Sequence, residues 1–193
     1  DEQQQVQADS GGTAQQRQQL ATVPPALLTL IGFPYSAGLR FDQALIDARG
    51  QSSLDAAFRT PPTTSAEILD PQRYMQDVHP VDVAFPSPAG AVYDRGVLGA
   101  LGLVLLFDSL IPSGKMTQAQ AVLTADAWGG DRYVAYSSGG HSCVRDTVSA
   151  LTPSAQTVLD GALKQWIAAT PGVTLTAGSL AGGGPVTFSA CTG

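Results

Sequence analysis

The sequence predicts an α+β fold: helices first, then a small, mostly antiparallel sheet with one amphipathic helix packed on it. Three observations carry this expectation. Residues 20–126 break into mainly helical segments punctuated by proline and glycine. From residue 127 the apolar period shortens and β-branched and aromatic residues gather in two runs. Between those runs and a last pair of apolar runs, Val158, Leu159, Ala162, Leu163, Trp166 and Ile167 form the best amphipathic stripe in the chain. Helices segregated from antiparallel strands make an α+β layer arrangement.

The elements follow in order. Residues 1–19 are rich in Gln and poor in apolar residues, so they read as a helical or flexible arm ahead of a single domain over residues 20–193. Pro24-Pro25 opens a helix, because proline suits a first turn. Phe33-Pro34-Tyr35 predicts a break or kink, with a second helix over Ala37–Ala48 that stops at Gly50. A short helix follows over Ser52–Phe58. Thr64-Ser65-Ala66-Glu67 has the spacing of a capping box, and Pro71 keeps the helix it starts brief. Residues 77–92 hold His79-Pro80 and Pro86-Ser87-Pro88 and read as a loop or edge strand. Val97–Ile111 is strongly apolar but too short to span a bilayer, which makes it a buried core helix. Thr117–Asp126 is helical by propensity. Arg132–Tyr136 and Ser142–Val148 predict a hairpin around a slightly long loop, residues 137–141. Pro153 starts the amphipathic helix. Val173–Thr176 and Val186–Cys191 are closing strands, joined through the glycine-rich residues 178–184.

Composition narrows the function. The chain has 193 residues, 44% of them hydrophobic, which is enough to bury a core. Charged residues are only 13%, and the net charge is −6. Ten basic residues with no basic run argue against nucleic acid and against an anionic membrane surface. Lysine occurs only at Lys115 and Lys164, glutamate only at Glu2 and Glu67, and asparagine is absent, so no Asn-linked glycan can form. The bias towards Ala, Gly, Arg and Asp suits a GC-rich bacterial source. No leader-like segment is visible, which suggests a mature or trimmed product.

No motif predicts catalysis, a cofactor or a metal. A zincin needs two histidines one helical turn apart with a glutamate between them. Here His79 and His141 stand far apart, and neither has a Glu beside it. Gly114-Lys115 is followed by Met116 and not by the hydroxyl residue of a phosphate loop, and no Gly-x-Ser-x-Gly elbow occurs. His141, with Asp131, Asp146 and the serines at 137, 138 and 142, can be written as a Ser-His-Asp set, but no nucleophile motif supports it. It reads as an exposed loop histidine.

The densest cluster of unusual residues is Trp128-Gly129-Gly130-Asp131-Arg132-Tyr133. One reading makes Trp128, Asp131, Arg132 and Tyr133 a binding lip, with the indole stacking on a ligand. The favoured reading is structural: the glycines allow close approach into a strand and the Trp packs on the hairpin. Cys143 and Cys191 are either isolated buried thiols or one disulfide closing a loop of about 50 residues. The disulfide is favoured. A partner protein would be sought at the apolar Val97–Ile111 segment and the Gln-rich arm.

Several motifs occur together in order: Phe33-Pro34-Tyr35-x-Ala37-Gly38, Pro61-Pro62-x-Thr64-Ser65-x-x-x-Leu69-x-Pro71, Val97-Leu98-Gly99-x-Leu101-Gly102, the Trp128–Tyr133 run and Arg145-x-Thr147-Val148. Over roughly residues 20–170 this series resembles the C-terminal portion of secreted zincin-like proteins of actinobacteria and related bacteria. In that family a His-Glu-x-x-His helix and a later Glu lie upstream and hold zinc. Neither maps here, since only Glu2 stands upstream and its neighbours do not match. The resemblance implies export to the cell envelope or medium, and a domain related to a metallopeptidase but without its zinc site. It implies either a non-catalytic binding or scaffold role, or a processed part of an active peptidase whose zinc lies on an absent N-terminal lobe. Export supports the Cys143–Cys191 bridge, although the two cysteines are not part of the shared pattern.

Overall fold

The structure, a computed structural model, describes Gln18, residues 21–180 and residues 183–192. Apart from Gln18, the Gln-rich arm lies outside the described residues. The chain divides into two compact units, residues 1–39 and residues 40–193.

In the first unit Pro25 starts helix α1 (Pro25–Arg49). The break expected at Pro34 does not occur: the helix continues through it. A proline in a helix removes one N–H and leaves one carbonyl unpaired. Leu30 and Pro34 are exposed, so water can take that carbonyl, and the Ala- and Leu-rich flanks favour helix on both sides. Leu27, Leu28, Leu30, Ile31, Tyr35 and Leu39 are all exposed.

The second unit begins with the rest of α1, which Gly50 ends at φ +76°. Helices α2 (Gln51–Arg59), α3 (Ser65–Leu69) and α4 (Pro71–Met75) follow. The capping box is present: the Glu67 amide donates to Thr64 Oγ1, and the Glu67 carboxylate accepts from the Thr64 amide. Phe41, Leu45 and Ala57 form a small core with Ile68, Tyr74 and Met75.

Five strands make one antiparallel sheet in the order β1-β2-β3-β5-β4. They are β1 (Ala91–Gly96), β2 (Trp128–Ser138), β3 (His141–Ala150), β4 (Val173–Ala177) and β5 (Val186–Cys191). The hairpin β2–β3 turns through Gly139-Gly140 alone. The longer loop expected there is not needed. Both glycines have positive φ, +58° and +84°, which a two-residue turn matching the twist of the strands requires. His141 is therefore the first residue of a strand and not a loop residue.

Helices α5 (Gly99–Asp108), α6 (Gln118–Ala125) and α7 (Pro153–Ala169) supply the main core together with one face of the sheet. Leu103, Phe107, Leu159, Leu163, Val148 and Val186 are essentially inaccessible, and Trp166 meets Phe188 edge to face at 5.2 Å. The apolar α5 thus spends Ala100, Leu103, Val104 and Phe107 on the chain's own core, while Val97 before it stays exposed. The stripe on α7 is narrower than its sequence suggests, since Val158 is 53% exposed. Buried Gln156 adds a clamp: it accepts from the Ala150 amide and donates to Asp160 on the next turn.

The opposite face of the sheet is crossed by residues 78–90, a strap without regular structure. The Val81 amide donates to the Gly129 carbonyl, Val83 and Pro86 are buried, and Arg145 donates to the Ser87 carbonyl. Cys143 and Cys191 face each other across β3 and β5 and form a disulfide. Among the described residues no helix is long and apolar enough to cross a membrane.

Candidate ligand-binding cleft

A cleft of about 490 Å³ opens where the α3 cap, the strap, the start of α5 and the start of β2 converge. Thr63, Thr64 and Ser65 form one wall, Pro80 to Asp82 a second, Val97 to Gly99 a third, and Trp128 with Gly130, Asp131 and Arg132 the last.

Close backbone packing shapes this last wall. At Gly130 an added Cβ would lie 2.2 Å from the Val81 carbonyl oxygen, and at Gly129 it would lie 2.4 Å from the Ala150 carbonyl carbon. The strap and the end of β3 therefore press on the start of β2 from two sides, and only glycine fits between them.

Asp131 is the organising residue. It is 3% exposed. Its Oδ2 accepts from the Leu98 amide at 2.7 Å, and its Oδ1 accepts from the Gly99 amide at 2.8 Å and from Trp128 Nε1 at 2.7 Å. A carboxylate thus caps the N-terminus of α5 from a strand 32 residues away, where amides and helix dipole both favour negative charge. Ser65 Oγ takes the Leu101 amide within the same first turn. Arg73 fastens the same corner from α4. Its guanidinium is buried and donates to the backbone carbonyls of Trp128 and Asp126, with the Asp126 carboxylate at 3.2 Å.

Trp128 is 3% exposed, with its indole N–H committed to Asp131. It lines the cleft from within the core. Arg132 lies at the cleft wall with its guanidinium on the strap side. Tyr133 is outside the cleft: its hydroxyl donates to Asp94 on β1, and that bond, with burial and the Asp94 and Asp131 charges, raises its pKa. Three of the four lip residues therefore share one cavity and the fourth does not.

Behind Asp131 sits Asp146, with no accessible surface and no hydrogen-bond partner for either carboxyl oxygen. Burial is the main cause that pushes its pKa up, to about 8, and the Asp131 carboxylate adds to it. The Asp131 side chain and the Thr147 amide are near enough to act on its charge, but neither meets good hydrogen-bond geometry. At neutral pH Asp146 is a buried neutral acid beside a buried carboxylate.

The Ser-His-Asp set does not assemble. His141 pairs with Ser138 at the exposed hairpin tip. Asp131 lies seven residues back along β2, roughly 23 Å away, and Asp146 lies roughly 17 Å away along β3. His79 is exposed beside Asp77 at 3.5 Å. Among the described residues no three His, Cys, Asp or Glu side chains gather where they could hold a metal ion. These residues do not fit a zinc site.

Asp131 as a helix cap and Asp146 as its buried neighbour escape sequence reasoning, because the cap joins residues 32 or 33 positions apart and the two aspartates meet only once β2 and β3 pair. The signal available was the pair of glycines before an acid. No family model matches the chain, and neither a curated protein nor a solved structure shows significant similarity to it.

Proposed function

We propose that this chain is a non-catalytic binding or scaffold domain, exported to the cell envelope or the medium, whose ligand occupies the cleft beside Trp128. The observation that carries the reading is the cleft itself. Its walls offer the hydroxyl residues Thr63, Thr64 and Ser65, apolar Val97 and Leu98, and one guanidinium, Arg132. Concave sites with few convergent polar groups on an apolar lining are the usual form of small-ligand pockets. The polar groups most suited to chemistry, Asp131 and the first amides of α5, are already committed to each other. The Cys143–Cys191 disulfide and the resemblance to secreted zincin-like proteins support export.

Two measurements test this. Thiol titration of protein from its native source should find no free thiol, and two free thiols would overturn export. A Val97→Trp substitution, which fills the mouth of the cleft from an exposed position, should abolish retention of whatever native ligand co-purifies while leaving the melting temperature within about 2 °C. The ordered motifs favour a second reading, a processed part of a zinc metallopeptidase with its zinc on another lobe. Stoichiometric zinc in a longer gene product, and none in this chain alone, is the outcome that reading expects.

A further inference from the structure

The face of the sheet under the strap carries charge that no described residue neutralises. Arg95 on β1 and Arg145 on β3 both pair in register with Val134 on β2, and Arg132 lies two residues before Val134. All three side chains therefore belong to one face, and Arg95 and Arg132 are diagonal cross-strand neighbours about 7–8 Å apart. Like charges so placed repel. The chain holds 16 acidic and 10 basic residues, yet among the described residues none of these three arginines has a carboxylate within salt-bridge distance. Arg145 bonds only to Ser189 Oγ and the Ser87 carbonyl. Outside the backbone bonds of their strands, Arg95 and Arg132 make no hydrogen bond to any described residue.

What holds them is aromatic. The Arg95 and Arg132 guanidinium carbons lie 5.7 and 5.5 Å from the centre of the same ring, Phe85 of the strap, and that of Arg145 lies 5.8 Å from the centre of Tyr136. A ring contact orients a planar guanidinium and leaves its N–H donors unused. Phe85 is itself 47% exposed, so the pair opens to solvent. Such a fork matches the oxygens of a carboxylate or a phosphate.

We propose that Arg95 and Arg132, gathered by Phe85 and backed by the charge of Arg145, form a receiving site for a small polyvalent oxyanion. The ligand class is an acidic molecule carrying two or more carboxylate or phosphate charges. The site goes beyond the cleft reading: Arg132 borders both, whereas Arg95 and Phe85 are not on the cleft wall.

Citrate and pyrophosphate are the probes, titrated separately at constant low ionic strength by calorimetry. Each should bind saturably, and a preference for one assigns the carboxylate or the phosphate source. Arg95→Gln and Arg132→Gln should each weaken binding about tenfold, Phe85→Leu about threefold, and Arg59→Gln on α2 should leave it unchanged. Melting temperatures of the variants establish that they are folded, and Arg95→Lys, which keeps the charge but loses the fork, gives an independent intermediate loss. Absence of saturable binding of both probes, or equal affinity in wild type, Arg95→Gln and Arg132→Gln, would overturn the site. Val97→Trp, which fills the cleft, should leave citrate and pyrophosphate binding intact, and loss of binding there would show that the anion enters the cleft instead.

Discussion

At the scale of single residues, two aspartates on one sheet face have opposite roles. Asp131 is a charged cap with three donors on it, and removing it leaves two helix amides and an indole N–H unpaired. Asp131→Ala should cost about 2–4 kcal/mol in urea unfolding. Asp131→Asn, which keeps one acceptor, should cost less. Asp146 is a group whose folded pKa, about 8, stands above its ordinary 3.8. The folded state therefore prefers the protonated form. Stability falls as pH rises from about 4, and the full penalty is reached once pH passes about 8. Asp146→Asn removes the ionisation and gives the Asp131 carboxylate an amide to accept from. It should flatten this slope and raise stability at pH 9 by about 1–3 kcal/mol, with little gain at pH 4. Equal effects at both pH values would show that Asp146 is not the group that titrates.

At the scale of elements, the strap depends on one glycine. Gly130→Ala places a methyl against the Val81 carbonyl. The strap between Pro80 and Gly90 should lift, and limited proteolysis should cut there at least about tenfold faster than in the wild type. Much at this scale was legible in the sequence. The Thr64–Glu67 box, the apolar α5 and the helix α7 all use local spacing and all form, although α5 is shorter than Val97–Ile111 and Val158 falls outside the buried stripe of α7. Pro34 was misleading because its penalty is local and an exposed helix can absorb it. The hairpin is legible but its turn is tighter than the sequence implies, because two adjacent glycines allow a closer connection than their flanking serines suggest. The strap looks like a loop from its sequence, since nothing in Pro80–Gly90 alone says that it crosses a sheet. The cleft shares this difficulty, since its four walls come from segments up to 69 positions apart, Thr63 to Arg132.

At the scale of the whole molecule, the disulfide joins residues 48 apart at one end of the sheet. In a chain-entropy account, cross-linking such a loop stabilises by roughly 3–4 kcal/mol. The double variant Cys143→Ser, Cys191→Ser should melt several degrees lower and keep its far-ultraviolet circular dichroism. Loss of the antiparallel signal would mean that the bridge is needed to form the sheet at all. Three of the eight arginines are gathered on one sheet face and a fourth, Arg73, is buried as a clasp, while Arg40, Arg49 and Arg59 stand exposed on the helices.

The position of β3 has a kinetic consequence. It is flanked by β2 on one side and β5 on the other, with the bridge at one end and Gln156 holding the Ala150 amide at the other. None of its neighbours can leave without first losing a second set of contacts. In native-state hydrogen exchange the amides from Val144 to Ser149 should be the last to pick up deuterium, opening only when the whole unit unfolds. Those of β1 and β4, each bonded along one edge only, should exchange much earlier.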